Sequence, residues 1–175
     1  MKNKLPNSTD VTITGILVSG RGYGADMVMV NQRIIEDKLD ATPYPGTLNI
    51  VLDVPLLLKR ADQLDEKGKL FGVRGIINDI PCLLYRFNYT PLHVLEVIAP
   101  VHLRKTFGLK DGQEIEILVS EENITSPTSW RCRVWELFYK GRLEVYYDDR
   151  MIKLFLSRGI KFFHKKACQS KNEFM

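Results

Sequence analysis

The sequence predicts a mainly β fold, a small closed β-barrel with short helices inserted between its strands. Six segments within residues 1–119 combine β-branched residues with alternating apolar and polar side chains, a pattern typical of half-buried strands. The segments between them do not supply one helix after each strand, which argues against a parallel, doubly wound sheet. A chain of 175 residues is also long enough for one domain with its own hydrophobic core.

The individual elements follow from local patterns. The strands are expected, in chain order, at 11–19, 50–52, 69–77, 80–87, 92–98 and 114–119. Asn78 and Asp79 are expected to form the hairpin turn between two of these strands. Short helices are expected at 31–39 and at 102–107, and Gly108 would cap the second of them.

The chain is expected to divide into a barrel domain, residues 1–119, and a C-terminal extension, residues 120–175. Residues 130–147 are rich in aromatic and β-branched side chains, and Lys140-Gly141 is a plausible turn. This pattern predicts a β-hairpin.

A basic amphipathic helix is expected to follow this hairpin. Asp148 or Asp149 would cap it, and it would run to about Lys166. Such a helix can lie on a membrane surface. We favour docking on the barrel or across a dimer interface instead, because Gly159 and the aromatic residues before it favour packing. The oligomeric state stays open.

Composition and charge narrow the function classes. The chain is 45% hydrophobic and 26% charged, which is ordinary for a soluble globular protein. It has no run of 18 apolar residues and no apolar signal core at its N-terminus, so a cytoplasmic location is expected. Residues 1–119 hold 14 basic and 14 acidic residues. This balance argues against a nucleic-acid partner, which would require a basic stripe. The three widely spaced cysteines favour neither a disulfide framework nor a zinc site.

The stretch Pro43–Asn49 carries the first candidate site. Its two prolines fix φ, and Gly46 permits a sharp turn just before a strand. Thr47 and Asn49 are two residues apart, so their side chains point to the same side of that strand. A hydroxyl and an amide oxygen held in this way can bind Mg²⁺ while leaving positions for phosphates. The alternative is a rigid turn in which Asn49 bonds its own backbone.

The glycine-rich loop 20–26 carries the second candidate site. Alternating glycines let successive backbone N–H groups face one concavity, which suits phosphate. The loop lacks the Lys-Ser/Thr of a Walker A motif, and its G-x-G-x-G spacing differs from the dinucleotide fingerprint. A strand-like apolar run, Met27–Val30, is expected after the loop. The alternative interpretation is a flexible hairpin turn.

Five segments together resemble the archaeal-type CTP-dependent riboflavin kinases. They are T-G-I-L-V-S-G-R-G-Y-G-A, P-Y-P-G-T-L-N, F-G-V, L-E-V-I-A-P-V-H-L-R and L-K-D-G-Q-E-I-E-I-L-V, within residues 12–119. The resemblance implies a cradle-loop barrel that transfers phosphate from CTP to riboflavin, giving CDP and FMN, with Mg²⁺ as cofactor.

The resemblance also assigns roles to residues. The nucleotide would be held by Gly20, Arg21, Gly22, Tyr23, Gly24, Ala25 and Asp26, together with Val101, His102, Leu103 and Arg104. Thr47 and Asn49 would ligate Mg²⁺, and Glu96 would face the flavin hydroxyl. Chemistry supports these roles, because phosphoryl transfer depends mainly on positioning and charge neutralisation. A carboxylate such as Glu96 can accept the proton of the attacking hydroxyl.

One loop departs from the family pattern. Residues 86–91 read one position longer than the family's Arg/Lys-Thr-aromatic loop. Asn88 is the nearest match to the threonine on the flavin side, or Thr90 if the loop shifts. The acceptor is therefore riboflavin or another small hydroxyl compound.

Two other function classes are also compatible with the sequence. The segment 100–119 also resembles half of an AbrB-type DNA-binding regulator, but the balanced charge of residues 1–119 argues against a DNA face. A non-catalytic nucleotide-binding module with a partner-binding extension is the other alternative.

Overall fold

The computed structural model describes residues 9–20, 22–87 and 90–140. Two predicted site residues, Arg21 and Asn88, lie outside these residues. So do the second half of the predicted hairpin and the whole predicted basic helix.

The described residues form nine strands, four α-helices and one 3₁₀ turn. The strands are β1 (Asp10–Val18), β2 (Leu48–Leu52), β3 (Leu57–Leu58), β4 (Asp62–Gln63), β5 (Leu70–Ile77), β6 (Ile80–Phe87), β7 (Val94–Ile98), β8 (Glu114–Ser120) and β9 (Ile124–Thr125). The helices are α1 (Gly24–Val30), α2 (Gln32–Leu39), α3 (Leu103–Phe107) and α4 (Ser129–Phe138), and the 3₁₀ turn is Glu121–Asn123.

Six strands close into an antiparallel barrel, which confirms the predicted fold class. Neighbouring strands follow the order β5-β6-β7-β2-β1-β8, and pairing of β5 with β8 completes the ring. The closing contacts join Gly75 to Val119 and Ile76 to Leu118. Closure gives each of these strands two neighbours, so their backbone groups are paired on both sides.

Hydrophobic packing occurs on both surfaces of the barrel wall. The interior cluster includes Leu17, Leu48, Ile50, Val73, Ile77, Leu84, Leu95, Val97, Ile115 and Ile117. A second cluster lies outside the barrel, where Ile35 and Leu39 of α2 pack with Leu83 of β6 and Val28 of α1. The two helices therefore cover one side of the barrel and fix the position of the loop that precedes them.

The hairpin between β5 and β6 has the predicted turn. Asn78 and Asp79 have φ values of 46° and 64°. Two consecutive positive φ angles define the turn type that matches the twist of a two-residue β-hairpin.

The predicted strand at Met27–Val30 is wrong, because these residues belong to α1. Only Val28 is buried there, while Val30 is 83% exposed. Each of the six barrel strands already has two neighbours, so none of them offers a free edge for this segment to pair with. A helix satisfies its backbone groups internally, and four apolar residues are too few to reveal helical periodicity.

The predicted hairpin from residue 130 is also wrong over its described part, which forms α4. Trp135 is only 7% exposed, and its ring lies 5.9 Å from that of His93, between centroids. The Tyr139 ring lies 4.9 Å from His93. Aromatic residues favour strands only where a sheet gives them neighbours to pack on. Here helical spacing brings Trp135 against the barrel and leaves Leu137 exposed.

Arg86 connects three segments beside this contact. Its guanidinium donates hydrogen bonds to the carbonyls of Val94, Leu56 and Leu92, at 2.7 to 2.8 Å. Burial lowers the pKa of Arg86 to about 9, so the group remains protonated at neutral pH. The charge therefore serves to tie together the loops before β3 and before β7.

Cys82 and Cys132 are free thiols within the described residues. Burial raises the pKa of the Cys82 thiol, so it stays protonated. No helix in the described segments has the length and apolar character needed to cross a bilayer.

Candidate active site

A cavity of about 650 Å³ lies where the glycine loop meets the beginnings of β2 and α3. The predicted site residues that line it are Gly20, Gly22, Tyr23, Gly24, Ala25, Thr47, Asn49, Glu96, Val101, His102, Leu103 and Arg104. Asp26 is not among the lining residues; it is exposed on α1, between Ala25 and Met27, which do line the cavity. The structure thus brings together residues that are up to 84 positions apart in the chain.

Strand register sets one wall of this cavity. Asn49 of β2 lies opposite Glu96 of β7, and Glu96 lies opposite Tyr85 of β6. Residues directly opposite one another share a face of the sheet. Their neighbours Leu48 and Ile50 belong to the barrel interior. Asn49, Glu96 and Tyr85 therefore form a row on the outer surface of the barrel.

Two hydroxyl groups hold the Glu96 carboxylate. Thr47 Oγ1 donates a hydrogen bond to Glu96 Oε2 at 3.1 Å, and the Tyr85 hydroxyl donates to the same oxygen at 2.5 Å. The spacing argument for Thr47 and Asn49 matches this geometry, since both line the cavity together with Glu96. Tyr85 was missed, because its position beside Glu96 depends on pairing between strands and leaves no signal in its own segment.

This cluster of oxygen atoms suits a hard cation. A hydroxyl, an amide and a carboxylate offer oxygen ligands, and Mg²⁺ binds through few protein oxygens when phosphates supply the others. Among the described residues, no three His, Cys, Asp or Glu side chains form a metal cluster. The residues therefore fit an ion that arrives with a phosphate-bearing ligand better than one held by protein alone.

The glycine loop packs directly on these two polar residues. A Cβ added at Gly20 would lie 2.2 Å from Asn49 Nδ2, and one at Gly24 would lie 2.3 Å from Thr47 Oγ1. Real side chains do not tolerate such distances. A side chain at either position would therefore have to displace Asn49 or Thr47.

Gly22, between them, is glycine for another reason. Its φ is +84°, a conformation that side chains disfavour. A Cβ there would meet no protein atom within 4 Å. The space beside Gly22 is thus open, and the residue lines the cavity.

Arg104 reaches the cavity from α3. Its Nη2 donates to the Val18 carbonyl at 2.8 Å and lies 2.7 Å from Asp111 Oδ1. Asp111 also accepts a short hydrogen bond from the Ser19 hydroxyl. The Ser19 hydrogen bond, followed by the bond and charge of Arg104, lowers the pKa of Asp111.

The residues 101–103 play different structural parts. His102 caps α3, because its Nδ1 accepts a hydrogen bond from the Lys105 backbone N–H at 3.3 Å. Its ring centroid lies 4.7 Å from that of Tyr44. Leu103 is buried in the barrel core. Val101 packs against the same core cluster, so His102 is the member of this group whose place in the cavity wall the core does not explain.

Thr90, the alternative to Asn88, is buried, and its backbone N–H donates to the Phe87 carbonyl at 3.0 Å. It does not line the cavity, whereas Phe87 does. Phe87 was missed for a different reason from Tyr85, since an aromatic residue in a strand is ordinarily interpreted as part of the core.

The family model CTP-dep_RFKase, described as a domain of unknown function (DUF120), matches residues 17–119. The chain belongs to this family. The match contains the glycine loop, Thr47, Asn49, Glu96 and the segment 101–104, and it confirms the family resemblance seen in the motifs.

Several curated relatives carry the name riboflavin kinase. That of Pyrobaculum islandicum is 36% identical over 129 residues, covering 63% of this chain and 61% of the relative. That of Pyrococcus furiosus is 36% identical over 120 residues, covering 60% and 57%. That of Ignicoccus hospitalis is 33% identical over 132 residues, covering 64% and 73%. The chain thus spans about three fifths of the length of the first two of these relatives.

Proposed function

We propose that this protein is a CTP-dependent riboflavin kinase. It transfers the γ-phosphate of CTP to the 5′-hydroxyl of riboflavin, giving FMN and CDP. The observation that carries the proposal is the contact of Gly20 and Gly24 with Asn49 and Thr47. This contact joins a loop suited to phosphate with oxygen atoms suited to a cation, beside the carboxylate of Glu96.

The loop and Arg104 would bind the triphosphate. Backbone N–H groups of a glycine loop and a guanidinium stabilise negative charge that develops on phosphate oxygens. The open space beside Gly22 lets a ligand approach the backbone closely. Arg104 lines the same cavity and adds the positive charge.

Thr47 and Asn49 would hold Mg²⁺. When bound, the ion neutralises charge on the phosphates during transfer. The Thr47 hydroxyl is already oriented, because it donates to Glu96. Asn49 is oriented by its packing against Gly20.

Glu96 would accept the proton of the attacking hydroxyl. In the reaction, the 5′-oxygen of riboflavin bonds to the γ-phosphorus, and the bond from that phosphorus to the bridging oxygen of CDP breaks. The hydroxyl proton passes to the Glu96 carboxylate. Tyr85 and Thr47 orient this carboxylate by their hydrogen bonds to Oε2.

Formation of FMN tests the proposal directly. The purified full chain is incubated with riboflavin, Mg²⁺ and either CTP, ATP, GTP or UTP, and flavins are separated by chromatography. FMN should form with CTP, and Glu96→Gln should lower the rate by about a hundredfold or more. CTP binding without FMN formation would refute the riboflavin kinase activity. CTP consumption with another small alcohol would identify a different acceptor.

A further inference from the structure

Asp111 connects two parts of the cavity wall that are far apart in sequence. It lies in the turn before β8, and its Oδ1 is 2.7 Å from Arg104 Nη2. Its other oxygen accepts a hydrogen bond from Ser19, 92 residues earlier in the chain. Ser19 and Arg104 both line the cavity.

We propose that Asp111 is a positioning residue for nucleotide binding, which holds the Arg104 guanidinium in the orientation that receives the phosphates. The proposal rests on the proposed function, in which Arg104 binds the triphosphate. Ser19 acts indirectly: its hydroxyl donates to the Asp111 carboxylate and so orients the group that holds Arg104.

The geometry at Arg104 supports an orienting role. One guanidinium nitrogen, Nη2, is shared between Asp111 and the Val18 carbonyl, at 2.7 and 2.8 Å. A guanidinium carries five N–H donors in a rigid plane. Two acceptors on one nitrogen therefore set the plane and leave other N–H groups for a ligand.

The turn that carries Asp111 is held independently of its side chain. The Gly112 N–H donates to the Leu17 carbonyl at 2.8 Å, and the Leu17 N–H donates to the Gln113 carbonyl at 2.9 Å. Substitution at position 111 should therefore change the side-chain network and leave the turn in place.

Asp111 exerts two opposing effects on a bound triphosphate. Its negative charge repels phosphate, while its grip on Arg104 keeps a cation in position. The Arg104 and Asp111 side chains are 27% and 47% exposed, so solvent and salt weaken the repulsion. Without Asp111, the long arginine side chain would sample many rotamers, and we expect the positioning effect to dominate.

The first test compares CTP binding by wild type, Asp111→Ala and Asp111→Asn, using calorimetry in the presence of Mg²⁺. Asp111→Ala should raise the dissociation constant about fivefold, the scale of a partly exposed ion pair. Asp111→Asn should lie between this variant and wild type, because its amide oxygen can still accept from Arg104. The KM for CTP should rise similarly, while kcat should stay within about twofold of the wild-type value.

Asp53→Asn is the matched control. Asp53 is an exposed aspartate outside the cavity lining.

The second test asks whether Asp111 acts through Arg104. In an Arg104→Ala background, Asp111→Ala should change the CTP dissociation constant less than about twofold, since coupled residues are non-additive. An equal loss in both backgrounds would overturn the proposal, as would tighter CTP binding by the single variant. Wild-type binding of CTP without FMN formation would refute the proposed function alone, because the binding cycle would still report on Asp111. A wild type that binds no CTP would overturn both.

Discussion

At the scale of single residues, the close contact between the glycine loop and β2 depends on the absence of a side chain at two loop positions. Gly20 and Gly24 have no side chain at the points where Asn49 and Thr47 press against them. Thr47 is in turn committed to Glu96 by a 3.1 Å hydrogen bond. A methyl group added at Gly24 would therefore disturb the Glu96 carboxylate by displacing Thr47.

Gly24→Ala should lower activity far more than stability. The new Cβ would force Thr47 Oγ1 away from its place and break its bond to Glu96, while alanine favours the helix that begins there by up to about 1 kcal/mol. We expect kcat to fall at least tenfold, with a melting temperature near that of wild type. Gly68→Ala is the control. Gly68 lies outside the cavity lining and has a φ of +61°, so the strain of a side chain there should lower stability without lowering kcat. Unchanged kcat in Gly24→Ala would contradict the coupling.

Asn49→Ala should raise the Mg²⁺ concentration needed for half-maximal activity by about tenfold or more, the scale of one lost charge-assisted contact. The side chain is 8% exposed and packs on Gly20, so some loss of stability is expected too. Asn49→Asp separates the two effects, because it keeps both the size and an oxygen ligand. Wild-type Mg²⁺ dependence in Asn49→Ala would refute the metal assignment.

At the scale of elements, α4 contacts the barrel through Trp135, and Tyr139, just after the helix, contacts the same histidine, His93. Trp135 is buried beside His93. The carbonyls of Leu92 and Val94, on either side of His93, accept two of the three hydrogen bonds of Arg86. The helix thus packs next to the strand end that leads to residues 88–89.

Trp135→Ala should destabilise the protein by roughly 3 kcal/mol, because it removes a large buried side chain. Leu137→Ala is the matched control. Leu137 lies on the same helix and is 72% exposed, so its loss should cost little. Denaturant unfolding of both variants measures the difference. Equal stabilities would show that α4 does not depend on this contact.

The strands were predictable because alternation is a local signal. β1, β5, β6 and β8 agree with the predicted strands to within one or two residues. The helices α1 and α4 were not predictable in this way. Each carries apolar or aromatic residues that favour strands, and the decision between helix and strand depended on which barrel edges were already occupied.

In the site, too, some residues could be predicted from local spacing and others could not. Thr47 and Asn49 could be paired from their spacing alone, since a strand repeats every two residues. Tyr85 and Asp111 could not. Tyr85 reaches the cavity through strand register, and Asp111 contacts two cavity residues, Ser19 and Arg104, from a turn 92 residues after Ser19. Long-range pairing leaves no trace in the segments that take part in it.

At the scale of the whole molecule, the proposed ligand should stabilise the folded chain. At a concentration one hundred times the dissociation constant, CTP with Mg²⁺ should add about 2.7 kcal/mol. For a chain of this size that corresponds to a rise of roughly 5 to 10 °C in melting temperature. Arg104→Ala should reduce the rise, and ATP or GTP should give smaller rises than CTP. An equal response to all three nucleotides would contradict the base preference.

The alignment of Asn49, Glu96 and Tyr85 across three strands has a consequence for folding. A slip of one residue between β2 and β7 would exchange the two faces of a strand and turn polar side chains toward the apolar interior. A chain that closed in such a register would carry a buried carboxylate and an exposed isoleucine, and it would have no assembled site. In a refolding experiment, recovered turnover would therefore count only the correctly registered barrels, whereas a far-ultraviolet signal would count every chain that had formed strands.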